Sequence, residues 1–230
     1  MFWYFDPIYL LIVGPALLLG LIAQIMVSSA YNRYSRVPNA RGLTGAEAAR
    51  HLLLYNGLED VRLEGTAGQL SDHFDPRSNT LRLSPGVART ASLASLGIVA
   101  HEVGHAEQVH TAYAPMRWRA SLVPVANIGS MAGPYLVLLG LILQWGTLAW
   151  AGVLLFSMAA AFYLVTLPVE IDASRRGIAM LQKSGLVLPE EVDGARKVLR
   201  AAAWTYVAAL LTAVLQLLYF IFLVGGRRRD

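Results

Sequence analysis

Long uncharged runs dominate the pattern of hydrophobic and polar positions along the chain. Residues 8–27 contain no charged side chain, and these 20 positions match a helix that crosses ~30 Å of hydrocarbon. Residues 120–169 lack Asp, Glu, Lys, Arg and His over 50 positions, which is too long for one span. We therefore expect two spans there, joined by a turn at residues 144–147. With a further uncharged run over residues 201–226, the pattern predicts about four transmembrane helices.

The polar region after the first span predicts a small α+β domain. Thr44 and Glu47 form a capping-box pattern ahead of an apolar face at helical spacing, which predicts an amphipathic helix over residues 45–56. Residues 61–64 alternate with period two, as a short strand does. Residues 70–74 and 80–83 flank a turn-rich pentapeptide at residues 75–79, and we expect a hairpin there.

Composition supports the lipid bilayer as a partner of the chain. The sequence is 56% hydrophobic with a mean hydropathy of +0.49, above the roughly half-apolar composition of soluble domains. The first uncharged run could instead be a secretory signal, because residues 28–30 resemble a small-residue cleavage site. Residues 1–7 contain no Lys or Arg, however, and the apolar core is long for a signal, so a membrane anchor is favoured.

The distribution of basic residues predicts the orientation in the membrane. The net charge is +4, with ten arginines in residues 28–119 and six basic residues in residues 170–200. Both regions fall on one side of a four-span chain, and by the positive-inside tendency that side is cytoplasmic. Arg227, Arg228 and Arg229 would then lie outside, but they are outnumbered. We expect a bacterial plasma-membrane protein with its site on the cytoplasmic side, and no nucleic-acid partner, because the basic residues form no single stripe.

One motif carries recognisable chemistry. A helix is expected over residues 88–110, and inside it His101-Glu102-Val103-Gly104-His105 has the HExxH pattern. Two histidines four residues apart project from one helix face and can bind one metal ion. Glu102 can then activate a zinc-bound water for attack on a peptide bond. Since the chain has no cysteine, any zinc site must use histidine and carboxylate ligands.

A catalytic zinc site usually has a third protein ligand. The candidates by residue type are His51, His73, His110, Glu170 and Asp172. His110 does not fit the metzincin spacing, which needs a glycine at 108 and a histidine one place later. Pro168 is expected to end the third span and open a new helix, which places Glu170 in the first turn of that helix. Glu170 is then either a zinc ligand or an ordinary carboxylate that interacts with the helix dipole. The ligand interpretation is favoured.

Three segments in order carry a family resemblance: residues 70–76 (LSDHFDP), 100–106 (AHEVGHA) and 167–174 (LPVEIDAS). Together with residues 42–45 and 194–199, they resemble the YugP-type neutral zinc metallopeptidases over nearly the whole chain. More distantly, the motifs are similar to those of HtpX-type membrane proteases, in which a glutamate on a later helix completes the zinc site.

The resemblance implies one zinc ion per chain, bound by His101, His105 and Glu170, with Glu102 as the general base. The chain departs from the HtpX-like pattern at position 174, where an aspartate that orients a zinc histidine is replaced by Ser174. Asp172, two residues earlier, becomes the candidate for that orienting role.

The predicted hairpin is a second candidate region. His73 could hydrogen-bond the oxyanion or the substrate backbone, and an edge strand could align an extended peptide. Alternatively, His73, Asp72 and Asp75 only satisfy backbone groups of the turn. Arg175 and Arg176 either stabilise the oxyanion or, as we favour, extend towards lipid headgroups.

We therefore expect a mainly α integral-membrane protein with a small α+β zincin-like domain inserted after the first transmembrane helix. The segments are 1–30 (first span), 31–119 (zincin-like domain), 120–169 (transmembrane hairpin), 170–200 (cytoplasmic helices with the third ligand) and 201–230 (fourth span and basic tail). The expected function is a zinc metalloendopeptidase acting on polypeptide substrates, with membrane proteins as candidate substrates. The alternative is a non-catalytic membrane interaction protein with a structural zinc site.

Overall fold

A computed structural model describes residues 7–226, in which seven helices and three short strands occur. In chain order the elements are α1 Pro7–Tyr34, α2 Gly45–Tyr55, β1 Arg62–Gly65, β2 His73–Asp75, β3 Thr80–Leu83, α3 Pro85–Ala88, α4 Leu93–His110, α5 Ala114–Ile142, α6 Gly146–Lys183 and α7 Val192–Gly226. Residues 1–6 and residues 227–230, which include the basic tail, lie outside the described part of the chain.

Four helices, α1, α5, α6 and α7, are long and apolar enough to cross a membrane. Only 17% to 33% of their most apolar segments is buried within the protein, so most of this apolar surface faces outwards. Such a surface is stable where lipid is the solvent. The prediction of four helices able to span a membrane is confirmed, and the predicted turn lies between Ile142 and Gly146, where Gln144 has a φ of 56°.

The described chain divides into two compact units. One contains residues 7–23, 117–168 and 204–226, and the other contains residues 24–116 and 169–203. In the first unit, glycines allow α5 and α6 to pack closely: a Cβ at Gly140 would lie 2.3 Å from the backbone nitrogen of Ala149.

The second unit contains the sheet and the remaining short helices. The predicted capping box is confirmed at α2, where the Thr44 backbone N–H donates to Glu47 at 2.8 Å and the Glu47 N–H to Thr44 Oγ1 at 3.3 Å. The strand order is β1-β3-β2, with β1 parallel and β2 antiparallel to β3. The hairpin prediction is thus confirmed, and β2 is an edge strand whose Phe74 side chain enters the core.

The sequence interpretation is wrong at two helix boundaries. The helix expected over residues 88–110 begins at Leu93, because Ser92 caps α4 by accepting a hydrogen bond from the Ser95 N–H. Pro168 does not start a new helix, because α6 continues through it to Lys183. A proline removes one intrahelical hydrogen bond, and a helix in apolar surroundings retains all its other internal bonds, so the helix persists. α6 ends at Lys183, and Gly185, two residues later, has a φ of 68° that fits a helix C-cap, as expected.

Candidate metal centre

The HExxH motif lies in the middle of α4. His101 and His105 are one helical turn apart, and their ring centroids are separated by 4.7 Å. The surrounding turns of α4 are buried and apolar, so the polar side chains of the motif are enclosed by hydrocarbon. Polar groups in such surroundings need partners.

Glycines allow α4 and α6 to approach closely enough for α6 to supply a polar partner to the motif. A Cβ at Gly104 would lie 2.4 Å from the carbonyl oxygen of Ala173, and a Cβ at Gly177 would lie 2.6 Å from that of Ala100. Real Cβ contacts are never this short, so the two backbones can meet only because both positions lack a side chain. Since Ala173 is three residues after Glu170, this contact holds the Glu170 carboxylate against the histidine face of α4.

Three potential metal donors converge at this crossing. Glu170 Oε2 lies 3.2 Å from His101 Nε2 and 3.6 Å from His105 Nε2. The donor atoms of the three residues all lie within 4.8 Å of one another. The Glu170 side chain is 2% exposed, whereas His101 is 14% exposed, so the cluster is closed on the α6 side.

The outer ring nitrogens of the two histidines have separate partners. His101 Nδ1 lies 3.0 Å from Ser174 Oγ, and His105 Nδ1 lies 3.0 Å from Gln108 Oε1. The Gln108 amide nitrogen donates to the carbonyl oxygen of Val169, so its Oε1 is an acceptor. His105 Nδ1 therefore carries a hydrogen, so Nε2, the nitrogen directed towards Glu170, is the one that can coordinate a metal ion.

The electrostatics of the cluster favour a cation. Burial opposes protonation of His105, but the carboxylates of Glu170 and Glu102 outweigh it, so the pKa of the His105 imidazole is raised. Two neutral imidazoles and one carboxylate are a donor set typical of zinc in hydrolases. The residues present therefore fit a zinc ion.

Glu102 lies beside the cluster but is not one of its three donors. Its Oε2 accepts a hydrogen bond of 2.9 Å from the Phe74 backbone N–H, which belongs to the outer edge of β2. Burial raises the pKa of the Glu102 carboxyl above its usual range. This carboxylate is thus fixed at one oxygen, and it can accept and release a proton closer to neutral pH than an exposed glutamate can.

Comparison with known proteins decides the family. A family model described as "Putative neutral zinc metallopeptidase" matches residues 9–225. The chain belongs to this family. It is 40% identical over 221 residues to the "Putative membrane protease YugP" of Bacillus subtilis (strain 168), and the alignment covers 96% of this chain and 98% of that protein. No solved structure matches the chain significantly.

Membership of the neutral zinc metallopeptidase family confirms the resemblance and the zinc prediction drawn from the sequence. The membrane prediction agrees with the name "Putative membrane protease" of the B. subtilis relative and with the four apolar helices of this chain. The individual roles of His101, Glu102, His105 and Glu170 stay predictions, although their side chains lie together as those roles require.

In this family member, the hairpin residues are engaged mainly with the hairpin itself. Asp72 accepts hydrogen bonds from the backbone and hydroxyl of Ser84, and Asp75 accepts from Ser78 and Arg82. The Ser78 hydroxyl, the Arg77 backbone N–H and the Arg82 guanidinium lower the pKa of Asp75 to about 2. These contacts favour the alternative in which Asp72 and Asp75 stabilise the hairpin and do not contact substrate.

His73 is exposed, and its Nδ1 lies 2.8 Å from the carbonyl oxygen of Ser71. Its backbone directly precedes Phe74, whose N–H contacts Glu102, but its side chain lies on the opposite face of β2 from the buried Phe74 ring. A role of His73 towards substrate stays a prediction.

The sequence interpretation missed two residues that contact the histidines. Ser174 occupies the position at which HtpX-like proteins carry aspartate, and its hydroxyl contacts His101 directly. Gln108 connects His105 to Asp172, whose Oδ2 accepts from the Gln108 amide at 3.0 Å. Asp172 therefore reaches a histidine only through Gln108. The available signal was the i, i+3 spacing of His105 and Gln108 on one helix.

Proposed function

We propose that this chain is a membrane-embedded endopeptidase that hydrolyses peptide bonds with one zinc ion held by His101, His105 and Glu170. The observation that carries the proposal is the convergence of three donors beside a fourth polar group, Glu102, that is not needed as a ligand. A structural zinc site is usually closed by four protein ligands and needs no adjacent base. Three donors plus a free carboxylate match hydrolytic sites.

Glu102 is the proton carrier in this proposal. A bound zinc ion supplies a Lewis acid that lowers the pKa of water and polarises the scissile carbonyl. The Glu102 carboxylate accepts the proton of the attacking water and then delivers it to the nitrogen of the leaving amine. Its raised pKa suits this double role, because the carboxyl must lose and regain a proton near neutral pH.

The outer edge of β2 is the proposed substrate guide. The Phe74 N–H is not used in pairing with β3, and it lies next to Glu102. An extended polypeptide that paired at Phe74 would have to replace Glu102 as the acceptor of this N–H, and its backbone would then lie alongside the proposed zinc ligands of α4. This arrangement of an edge strand and an HExxH helix is the basis for proposing a zincin-like domain. His73, on the same strand, is a candidate contact for the bound peptide.

The orientation of the site is part of the proposal. Sixteen basic residues lie in residues 28–119 and 170–200, the two segments that contain the proposed ligands. By the positive-inside tendency these segments lie in the cytoplasm, so the substrates are polypeptides or membrane proteins that reach the cytoplasmic face.

The test is digestion of casein or an extended peptide by the purified protein. Activity should disappear with a chelator and return with zinc, and Glu102→Gln should abolish it while retaining about one zinc per chain, because an amide cannot accept the proton. His110→Ala, an exposed position on the same helix, is the matched control and should keep full activity. Stoichiometric zinc without any activity in the unmodified protein would favour the alternative, a membrane interaction protein with a structural zinc site.

A further inference from the structure

A cavity of about 480 Å³ lies between the C-terminal part of α6 and the N-terminal part of α7. All of it belongs to the unit that contains residues 169–203. Its volume is within the range of sites that hold small molecules. The apolar lining includes Ile171, Ile178, Leu199 and Ala203, and the polar lining includes Arg175, Arg196 and Arg200.

The three arginines differ in their pairing. Arg175 donates to Asp172 at 2.6 Å, so its charge is balanced by a carboxylate. Arg196 and Arg200 are exposed, four residues apart on one face of α7, and neither forms an ion pair or hydrogen bond within residues 7–226. The nearby Asp193 is occupied by Lys197 at 2.5 Å. The α7 side of the cavity therefore carries two unbalanced positive charges next to apolar walls.

The sequence of α7 places this charge at the edge of a membrane span. The uncharged run of α7 starts at Ala201, directly after Arg200, and Trp204 follows one turn later. A change from basic to apolar residues accompanied by an aromatic side chain is typical of the headgroup level of a bilayer. Phosphate groups of anionic lipids are concentrated at that level.

We propose that this cavity binds an anionic phospholipid, with the phosphate paired to Arg196 and Arg200 and an acyl chain between α6 and α7. A free phosphate would use the arginines but leave the apolar walls unfilled, and an acidic peptide would match the apolar lining less well. A phospholipid satisfies both parts of the lining. The proposal does not depend on the peptidase reaction, and Ser174 is the residue that the cavity shares with the histidine contacts.

The experiment measures thermal unfolding of the delipidated full-length protein in uncharged detergent. Dioleoyl phosphatidylglycerol at saturating concentration should raise the unfolding midpoint by about 5 °C, because a ligand that binds only the folded state stabilises it. Dioleoyl phosphatidylcholine, with the same chains and no net charge, should give a much smaller shift. Inorganic phosphate and a soluble acidic peptide should give none.

Two variants localise the effect. Arg196→Gln combined with Arg200→Gln should remove the phosphatidylglycerol shift, whereas Arg50→Gln with Arg77→Gln, an equal loss of exposed charge elsewhere, should keep it. Ala179→Leu, which extends an apolar side chain into the cavity, should weaken the shift without changing charge. Equal shifts with both lipids, a full shift with phosphate or acidic peptide, or an unchanged shift in the double arginine variant would each overturn the proposal.

Discussion

Gly104 of the HExxH motif lies directly against the backbone of Ala173, and a Cβ at position 104 would be 2.4 Å from the Ala173 carbonyl oxygen. We predict that Gly104→Ala forces α4 and α6 apart and separates the histidines from Glu170. The expected result is a loss of about 1–3 kcal/mol of stability. Zinc affinity should fall by at least about tenfold, because ligand position is disturbed. Denaturant unfolding and metal titration measure the two effects.

Gly20→Ala is the matched control for that substitution. A Cβ at Gly20 in α1 meets nothing within 4 Å, so alanine should be neutral or stabilising by up to about 1 kcal/mol. Wild-type zinc affinity in Gly104→Ala would show that the close helix contact does not position the ligands.

Part of the site could be predicted from sequence because it depends on local geometry. The pairing of His101 with His105 follows from helical periodicity, and Glu170 was favoured by its residue type and by family resemblance. The contact of Ser174 with His101 and those of Gln108 with α6 could not be predicted, because they depend on the distance and rotation of α6 against α4, and Gly104 and Gly177 allow that close approach.

In the fold, as in the site, the features that depend on neighbouring residues could be predicted and those that depend on distant residues could not. Uncharged runs predict the spans, the capping box predicts α2, and the turn-rich pentapeptide predicts the β2–β3 hairpin, since each signal depends on neighbouring residues. The parallel pairing of β1 with β3 joins segments 18 positions apart, as in Arg62 with Thr80, and no local pattern encodes it. The prediction of a helix boundary at Pro168 is wrong because it rests on the local tendency of proline to interrupt helices, whereas the continuity of α6 depends on its apolar surroundings.

Gln108 supplies a second prediction. It is fully buried, and it joins His105 Nδ1 to Asp172 and to the Val169 carbonyl. Gln108→Met keeps similar volume but removes these hydrogen bonds, so the zinc dissociation constant should rise about 10–100-fold. Asp172→Asn should have a smaller effect, because Asp172 acts only through Gln108. Titration against a zinc-buffering chelator measures both, and an unchanged constant in Gln108→Met would contradict the orienting role.

The pH dependence of activity follows from Glu102. Burial raises its folded-state pKa above the ordinary glutamate value of 4.5, so the carboxyl takes up a proton at a higher pH than an exposed glutamate as the pH falls. Since only the carboxylate accepts a proton from water, the acid limb of kcat/KM should have its midpoint above 4.5. Zinc content measured at each pH separates this effect from loss of the metal. An acid limb whose midpoint lies at or below the ordinary glutamate pKa of 4.5, with zinc retained, would contradict this role of Glu102.

Membrane orientation can be tested cleanly because the chain contains no cysteine. Cysteines at Arg77 and Lys183, both exposed, should be shielded from a membrane-impermeant reagent in intact cells and labelled after lysis. A cysteine at Thr147, at the exposed turn between α5 and α6, should be labelled from outside. Labelling of Arg77→Cys or Lys183→Cys in intact cells would reverse the proposed orientation.

The central claim is that residues from α4 and α6 form one metal centre, and the zinc content of Glu170→Ala tests it most directly. Loss of one of three protein ligands should reduce bound zinc from about one per chain to nearly none after dialysis, with peptidase activity lost in parallel. His110→Ala, measured beside it, should retain its zinc, and circular dichroism should show unchanged helix content in both. Stoichiometric zinc in Glu170→Ala together with loss of zinc in His110→Ala would show that Glu170 is not the third ligand.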